Sequence, residues 1–362
     1  MFNQIPAFTK INELKKQIHL SEWFSPLNLK EEREKFLANP TYNPHFFYPE
    51  FDKKSLIELK KELNTINPSS NDVLETWILE RKVKELELEI SLCLARGTSE
   101  ISSVTTQLYN CTFQKKYLKN AELDAASPLP FESKENKSAE EIISGIQQYL
   151  ENYDIYDWSL ELSEQSDFYF RVKAAQKRML ISKNFNWDFT DFDNMLAHEI
   201  DGHVIRAINA SRQKHPLLKK PLAFYIKTEE GLASFLGNYC SKTGEINRKH
   251  HALKYLAGHL ALTSSFQVVF NFLCANGFTP SLAFQRTFRL KRGFENTAIT
   301  GCFAKEAMYY EGMLEVKNFL DNGGDIKKLY SGKIGLADIP HTQIPADIII
   351  PQRMRSYIEK LS

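Results

Sequence analysis

The spacing of apolar positions changes along the chain from a helical pattern to an alternating one and back. In residues 72–95, apolar side chains recur every three or four positions, which predicts a helix that ends before Gly97. Short alternating runs predict half-buried strands at 158–162, 168–172 and 178–182. Helical spacing returns at 191–213, 229–242, 251–276 and 304–321, with a further predicted strand at 288–292. The pattern predicts an α+β fold that is mostly helical, with a small sheet preceding the central helix.

The loops between these elements predict three regions. The most loop-like stretch is 124–138, at whose end Ser138 and Glu141 form a capping-box pattern that begins the next helix. The predicted regions are an N-terminal helical region at 1–123 packed on the catalytic part, a catalytic domain at 138–345 and a C-terminal tail at 346–362.

Composition excludes several classes of protein. The 362 residues include 25 Phe, 15 Tyr and 4 Trp, which a disordered chain would lack. Because 46 basic residues face 45 acidic ones, the net charge of +1 gives no field that would attract nucleic acid or a membrane. The most apolar run, 260–278, is interrupted by polar residues and indicates a buried helix rather than a membrane span. We expect neither nucleic acid nor a membrane as a partner.

Cysteine usage bears on the compartment. The five cysteines are scattered and form no CxxC pair, so neither a disulfide framework nor a thiolate zinc site is expected. These features favour a reducing cytoplasm, although a secreted bacterial effector would share them.

The central helix carries two histidines and a glutamate. Its segment Leu196-Ala-His-Glu-Ile-Asp-Gly-His203 is similar to the HExxH signature of zinc peptidases, with one residue inserted. Histidines five positions apart point about 140° apart on a regular α-helix, so His198 and His203 can share a metal only through a π-bulge or a helix break. Gly202 lies within the insertion and tolerates such a distortion. The spacing is compatible with a zinc site on a bulged helix.

A catalytic zinc usually has three protein ligands and leaves one position for water. Glu229 and Glu230 begin a helix about 26 residues after the first two histidines, in a first turn where acids are also common for dipolar reasons. The competing candidates are His250, His251 and His259, which we interpret as structural. The residues alone leave the choice between Glu229 and Glu230 open.

Four blocks in this order carry a family resemblance: HEIDGH at 198–203, TEEGLAS at 228–234, RLKRG at 289–293 and CFAKEAMYYEG at 302–312. Together with the first and third predicted strands, they resemble the microtubule-associated tyrosine carboxypeptidase family, whose bacterial relatives are described by a QEGLA motif. The resemblance implies a zinc metallopeptidase of zincin-like architecture. Its animal members remove a C-terminal tyrosine or glutamate from tubulin.

The resemblance also assigns roles to residues. It implies that His198, His203 and Glu230 bind Zn²⁺ and that Glu199 is the general base. Glu229 stands where QEGLA has glutamine, and Cys302-Phe-Ala-Lys replaces a Gly-Phe-Thr-Lys run of the animal proteins. The second difference leaves the terminal residue that is removed undetermined.

The implied chemistry is consistent with the residue types. Zinc activates a water and polarises the scissile carbonyl, and Glu199 can pass the water's proton to the leaving amine. The developing oxyanion requires a second electrophile, for which Tyr309 matches the tyrosine of the last block. Lys305 lies four residues earlier, on the same predicted helical face. Ordinary packing of an aromatic helix is the alternative interpretation of Tyr309.

A carboxypeptidase must also recognise a free α-carboxylate. In the predicted strand, Arg289 and Lys291 point to one side and Arg292 to the other, and arginine provides a bidentate fork for a carboxylate. These three residues and Lys305 are therefore the candidate substrate-binding residues. A solvated basic edge strand would explain the same charges.

The sequence thus predicts a zinc-dependent carboxypeptidase that removes a tyrosine- or glutamate-like residue from the C-terminus of a protein or peptide. A tubulin-like tail is an expected substrate only in a eukaryotic host. Two alternatives stay open: a zinc endopeptidase, and a non-catalytic regulatory protein with a degenerate or structural metal site. The basic strand argues against the first, and Glu199 against the second, because a structural site needs no general base.

Overall fold

The computed structural model describes residues 5–127, 137–164, 170–183, 192–241 and 244–360, and helices dominate these ranges. The α-helices are α1 (Pro6–Lys15), α2 (Leu20–Trp23), α3 (Leu29–Ala38), α4 (Lys53–Leu63), α5 (Val73–Ala95), α6 (Ile101–Leu108), α7 (Lys115–Ala125), α8 (Ala139–Glu151), α9 (Phe192–Met195), α10 (Ile205–Ser211), α11 (Ile226–Tyr239), α12 (Gly244–Ala261), α13 (Phe266–Ala275), α14 (Pro280–Leu290), α15 (Met308–Asp321), α16 (Ile326–Leu329) and α17 (Gln352–Glu359). A π-helix occupies Leu196–Val204, and short 3₁₀-helices occupy Ala174–Gln176, Pro216–Lys219 and Leu336–His341. Among the helices of these ranges, none combines the length and the apolar character that crossing a membrane requires.

The three strands form one small mixed sheet. They are β1 (Ser159–Ser163), β2 (Phe170–Lys173) and β3 (Arg178–Ser182), in the order β1-β3-β2. β3 pairs in parallel with β1 and antiparallel with β2. The sheet precedes the π-helix, so the predicted fold class, a mostly helical α+β fold with a small sheet before the central helix, is confirmed.

One detail of the strand prediction is wrong. β3 was expected to be half-buried, yet Met179, Leu180, Ile181 and Ser182 are all buried. β3 is the middle strand, and consecutive residues of a strand point to opposite faces, so both of its faces are covered. Of the predicted second strand, residues 168 and 169 lie outside the described ranges, as do residues 128–136 of the predicted loop.

The chain divides into two compact units, each built from two segments. The first unit consists of Met1–Ala125 and His251–Glu311. Its core contains a cluster of buried aromatic rings in which Phe36 of α3 contacts Phe266, Phe270 and Phe284, with ring centroids 4.8–5.6 Å apart. These contacts hold α3, α13 and α14 together.

The second unit consists of Ala126–His250 and Gly312–Ser362, and it contains the sheet, the π-helix and α11. Its segments differ from the predicted regions, because residues 251–311 group with the first unit. The predicted C-terminal tail contains α17, whose Met354 is fully buried. The predicted division as a set of functional regions stays a prediction.

The predicted strand at 288–292 is wrong. Phe288, Arg289 and Leu290 end α14, which begins at Pro280 after the capping side chain of Thr279. Apolar and basic residues alternate at the end of α14, which is the pattern typical of a strand. The buried positions of α14, however, recur at helical spacing. The predicted helix at 251–276 is likewise two helices, because α12 ends at Ala261 and α13 begins at Phe266.

Candidate functional site

The predicted distortion of the central helix is present. The π-helix lies between α9 and α10 in one continuous helical stretch and contains both histidines of the HExxxH segment. Gly202 permits its close approach to α11, since a Cβ atom at Gly202 would lie 2.6 Å from the Cβ of Ala233. The predicted bulge near Gly202 is therefore confirmed, and this contact brings the π-helix against the helix that carries Glu230.

Three predicted ligands converge in the second unit. The Nε2 atoms of His198 and His203 lie 3.7 Å and 3.6 Å from Oε2 of Glu230. Their two imidazole rings have centroids 5.1 Å apart, and one donor atom from each of the three residues lies within 4.8 Å of the others. Two donors bound to a tetrahedral zinc at about 2.1 Å are roughly 3.4 Å apart, and the two distances to Oε2 of Glu230 are close to that spacing. The side chains are 12–23% exposed, so the cluster is accessible to water.

Glu199 lies beside this cluster without belonging to it. Glu199 is half-buried, and desolvation of its carboxyl group raises the pKa of Glu199 to about 7. The charge of Glu230 acts in the same direction, whereas His203 opposes it. The site therefore combines two imidazoles and a carboxylate, the donor set of a catalytic zinc, with a separate carboxyl group that can exchange a proton.

A second carboxylate contacts one of the histidines. Oε1 of Glu229 lies 3.0 Å from Nδ1 of His203 and also accepts a hydrogen bond from Nζ of Lys333. Arg206, which is fully buried, donates to Oε2 of Glu229 over 3.3 Å. Burial alone would raise the pKa of Glu229, but Lys333, His203 and Arg206 lower it to about 2, so the group is an anion.

Sequence reasoning left the role of Glu229 open and missed both cations. An arginine three residues after a candidate ligand, in an apolar helix, was a signal that could have identified Arg206. Lys333 is 104 positions from Glu229 and has no comparable local signal.

The opposite side of the π-helix contains another buried carboxylate. Asp201 is fully buried and accepts hydrogen bonds from the hydroxyl of Tyr149 at 2.9–3.0 Å and from Nη1 of Arg353 at 2.9 Å. Arg353 also pairs with Asp193 at the start of the helical stretch. Burial raises the pKa of Asp201 to about 6, against the lowering effect of Arg353 and Tyr149. One arginine of α17 thus connects two points of the helix that carries the histidines.

The predicted substrate-binding residues belong to the first unit, and their surroundings differ from the prediction. Nη1 of Arg289 lies 3.1 Å from Oε1 of Glu306, which Arg286 also contacts at 3.5 Å. Nζ of Lys291 is buried and donates to three main-chain carbonyl groups, those of Ala261, Ser264 and Ile299. Since all three ammonium hydrogens are used, Lys291 supports the end of α12 and the following turn instead of facing solvent.

The remaining candidates also lack the expected local geometry. The guanidinium of Arg292 lies over the ring of Phe288, 5.5 Å from its centroid. Lys305 precedes α15, so it does not share a helical face with Tyr309. The ring of Tyr309 packs edge-on against His251 with centroids 6.2 Å apart. The roles of Arg289 and Tyr309 toward a substrate stay predictions.

A known protein family matches this chain over most of its length. Residues 33–347 match the family described as "Microtubule-associated tyrosine carboxypeptidase". The mouse (Mus musculus) protein named "Microtubule-associated tyrosine carboxypeptidase 1" is 26% identical over 299 residues, which are 80% of this chain and 55% of that protein. The proteins of the same name from Homo sapiens and Rattus norvegicus are 29% and 30% identical over 175 and 183 residues.

Each of those two matches covers 47% of this chain, and they cover 36% and 38% of the human and rat proteins. The chain therefore spans about half, or less, of the length of the curated relatives it matches. The family match, by contrast, extends over far more than half of this chain. The chain belongs to the microtubule-associated tyrosine carboxypeptidase family.

Proposed function

We propose that this protein is a zinc-dependent carboxypeptidase that removes one residue from the C-terminus of a protein or peptide. The observation that carries the proposal is the convergence of His198, His203 and Glu230 on a π-helix and its neighbour, with Glu199 beside them. The chemistry of this donor set fits zinc, because two imidazoles and one carboxylate leave a fourth position for water.

Each residue has a distinct task in the proposed reaction. His198, His203 and Glu230 would hold the ion, which supplies an activated water and polarises the scissile carbonyl. Glu199 accepts the proton of the attacking water and delivers it to the departing amine. Glu199 is suited to this exchange because it is not one of the three converging donors.

The names of the relatives support a substrate class for the proposal. The relatives are named as tyrosine carboxypeptidases associated with microtubules. We propose a terminal tyrosine, or a glutamate-like residue, as the group removed from a protein tail in this case too. We also propose a cytoplasmic location, since all five cysteines lie in the described ranges as free thiols.

The test combines metal analysis with peptide cleavage. Purified protein should contain one zinc per chain, and mass spectrometry of a peptide library that differs at the last residue should identify the product. Glu199→Gln should retain zinc and fold but lose about 10²–10⁴-fold in kcat, because an amide cannot accept the proton. Glu315→Gln is the matched control, since Glu315 pairs with Lys227 in the same unit and outside the donor cluster. A zinc-free wild-type protein, or full activity in Glu199→Gln, would refute the proposal.

The endopeptidase alternative is separated by peptides with an amidated C-terminus. A carboxypeptidase should cleave the free acid and not the amide. Arg289→Ala tests the predicted carboxylate-binding residue and should raise KM for the free acid and erase the preference over the amide. Equal cleavage of both peptides by the wild type would favour an endopeptidase.

A further inference from the structure

We propose that Glu229 and Lys333 are positioning residues of the metal site, a charge-matched buried pair that fixes the orientation of His203. The inference rests on the proposed function, because it concerns the same metal. It goes beyond that function by adding two residues that bind neither metal nor substrate.

The contacts of Glu229 define its orientation completely. Oε1 faces Nδ1 of His203 at 3.0 Å and receives the ammonium of Lys333, while Oε2 receives the guanidinium of Arg206. The side chains of Glu229, Lys333 and Arg206 are 6%, 10% and 0% exposed. Solvent therefore cannot replace any of these contacts if one partner is removed.

The orientation of Glu229 determines which nitrogen of His203 can bind metal. When Nδ1–H donates to the carboxylate, Nε2 carries the lone pair, and this atom faces Oε2 of Glu230 at 3.6 Å. An anionic acceptor also makes the imidazole a stronger donor of electrons toward a metal. Glu229 thus selects the tautomer of His203 and directs its ring toward the donor cluster.

Lys333 belongs to the proposed pair because its positive charge balances the negative charge of Glu229. Glu229 is one anion between two buried cations, and its negative charge lies beside the position of a divalent metal. If Glu229 becomes neutral, Lys333 and Arg206 remain uncompensated next to that metal, and both repel it. If Lys333 becomes neutral together with Glu229, one negative and one positive charge disappear together.

Arg206 cannot take over the role of Lys333. Its second terminal nitrogen donates to the carbonyl of Ile334 over 2.6 Å, which ties the guanidinium to the main chain next to Lys333. Arg206 therefore supports the segment that carries Lys333, whereas Lys333 is the cation that shares Oε1 with His203.

The experiment is a mutant cycle read by metal affinity. Zinc dissociation constants are measured by chelator competition for the wild type, Glu229→Gln, Lys333→Met and the double variant. Loss of such a supporting contact typically weakens metal binding about 10–100-fold, which we expect for Glu229→Gln. The double variant should regain at least half of that loss on a logarithmic scale. Lys227→Met is the matched control, because Lys227 is also a buried lysine paired with a glutamate, and it should bind zinc as the wild type does.

Two further readouts separate orientation from general destabilisation. The visible spectrum of the Co²⁺-substituted protein should change in Glu229→Gln and return toward that of the wild type in the double variant. Lys333→Arg retains the positive charge and should bind zinc within a few-fold of the wild type, which keeps the test valid if Lys333→Met does not fold.

The outcomes distinguish this inference from the proposed function. A wild-type protein without zinc would refute the proposed function itself. A zinc-binding wild type with unchanged affinity in Glu229→Gln, or a double variant no better than Glu229→Gln, would refute the positioning pair alone.

Discussion

Gly202→Ala should weaken zinc binding through a collision between two helices. The added Cβ would lie 2.6 Å from the Cβ and 2.9 Å from the Cα of Ala233. Carbon atoms in contact are normally about 3.5–4.0 Å apart, so the π-helix and α11 must separate by roughly 1 Å. Glu230 lies three positions before Ala233, on the same side of α11, and moves with it. Because metal–ligand distances tolerate only about 0.2 Å, a shift of this size removes the ligand from its place.

The magnitude follows from the cost of overpacking. Extra methylene volume in a packed interior costs about 1–3 kcal/mol, which corresponds to roughly 5–150-fold in metal affinity if the bound state carries the strain. The assay is chelator competition for zinc, with circular dichroism to verify the fold. Gly332→Ala is the control, since its Cβ would have neighbours no closer than 3.5 Å. Adding Ala233→Gly to Gly202→Ala should restore part of the affinity, because the nearer of the two clashes disappears. Unchanged affinity in a folded Gly202→Ala protein would show that the two helices can separate without moving Glu230.

Three more predictions concern stability. Chelation of the metal should lower the unfolding free energy of the wild type, measured by thermal melting. The loss should be about 2.7 kcal/mol if free zinc was at a hundred times its Kd before chelation, and the unfolding free energy of His198→Ala should not change. Lys291→Met should destabilise the protein by about 1–3 kcal/mol in urea, since three buried carbonyl groups lose their donor; a variant as stable as the wild type would mean that water replaces it. Truncation after Pro345 removes the buried side chains of Ile350 and Met354 and the ion pair between Arg353 and Asp201, which should cost about 2–5 kcal/mol, whereas truncation after Glu359 should cost little.

The local parts of the site could be predicted from the sequence. Two histidines five positions apart can share a metal only on a distorted helix, and the π-helix at Leu196–Val204 has that distortion. The capping box of Ser138 and Glu141 is also present at the start of α8. In both cases the decisive contacts lie within one turn of the chain, where spacing alone determines which groups can meet.

The errors and omissions arise where distant residues decide the outcome. The burial of β3 on both faces depends on what covers the sheet, which alternation within one strand does not reveal. The charges of Arg289 and Lys291 gave no sign of Glu306 or of the three carbonyl groups that contact them, and the role of Arg289 toward a substrate stays a prediction. A charged side chain has the same sequence signature whether it faces solvent or a buried partner, so only the fold separates the two interpretations.

The π-helix is held from two sides, and this explains why a geometry that is rare in proteins persists here. On one side, Gly202 lets the helix approach α11, which supplies Glu230. On the other side, Asp201 is bound by Tyr149 and by Arg353 of α17. The segment Ile-Asp-Gly between Glu199 and His203 is one residue longer than that of an HExxH helix. The π-helix accommodates the extra residue and keeps His203 on the face of His198, and Asp201 of this segment is the buried carboxylate that α17 contacts. The C-terminal segment therefore contributes to the geometry of the proposed metal site, although it provides none of the three converging side chains.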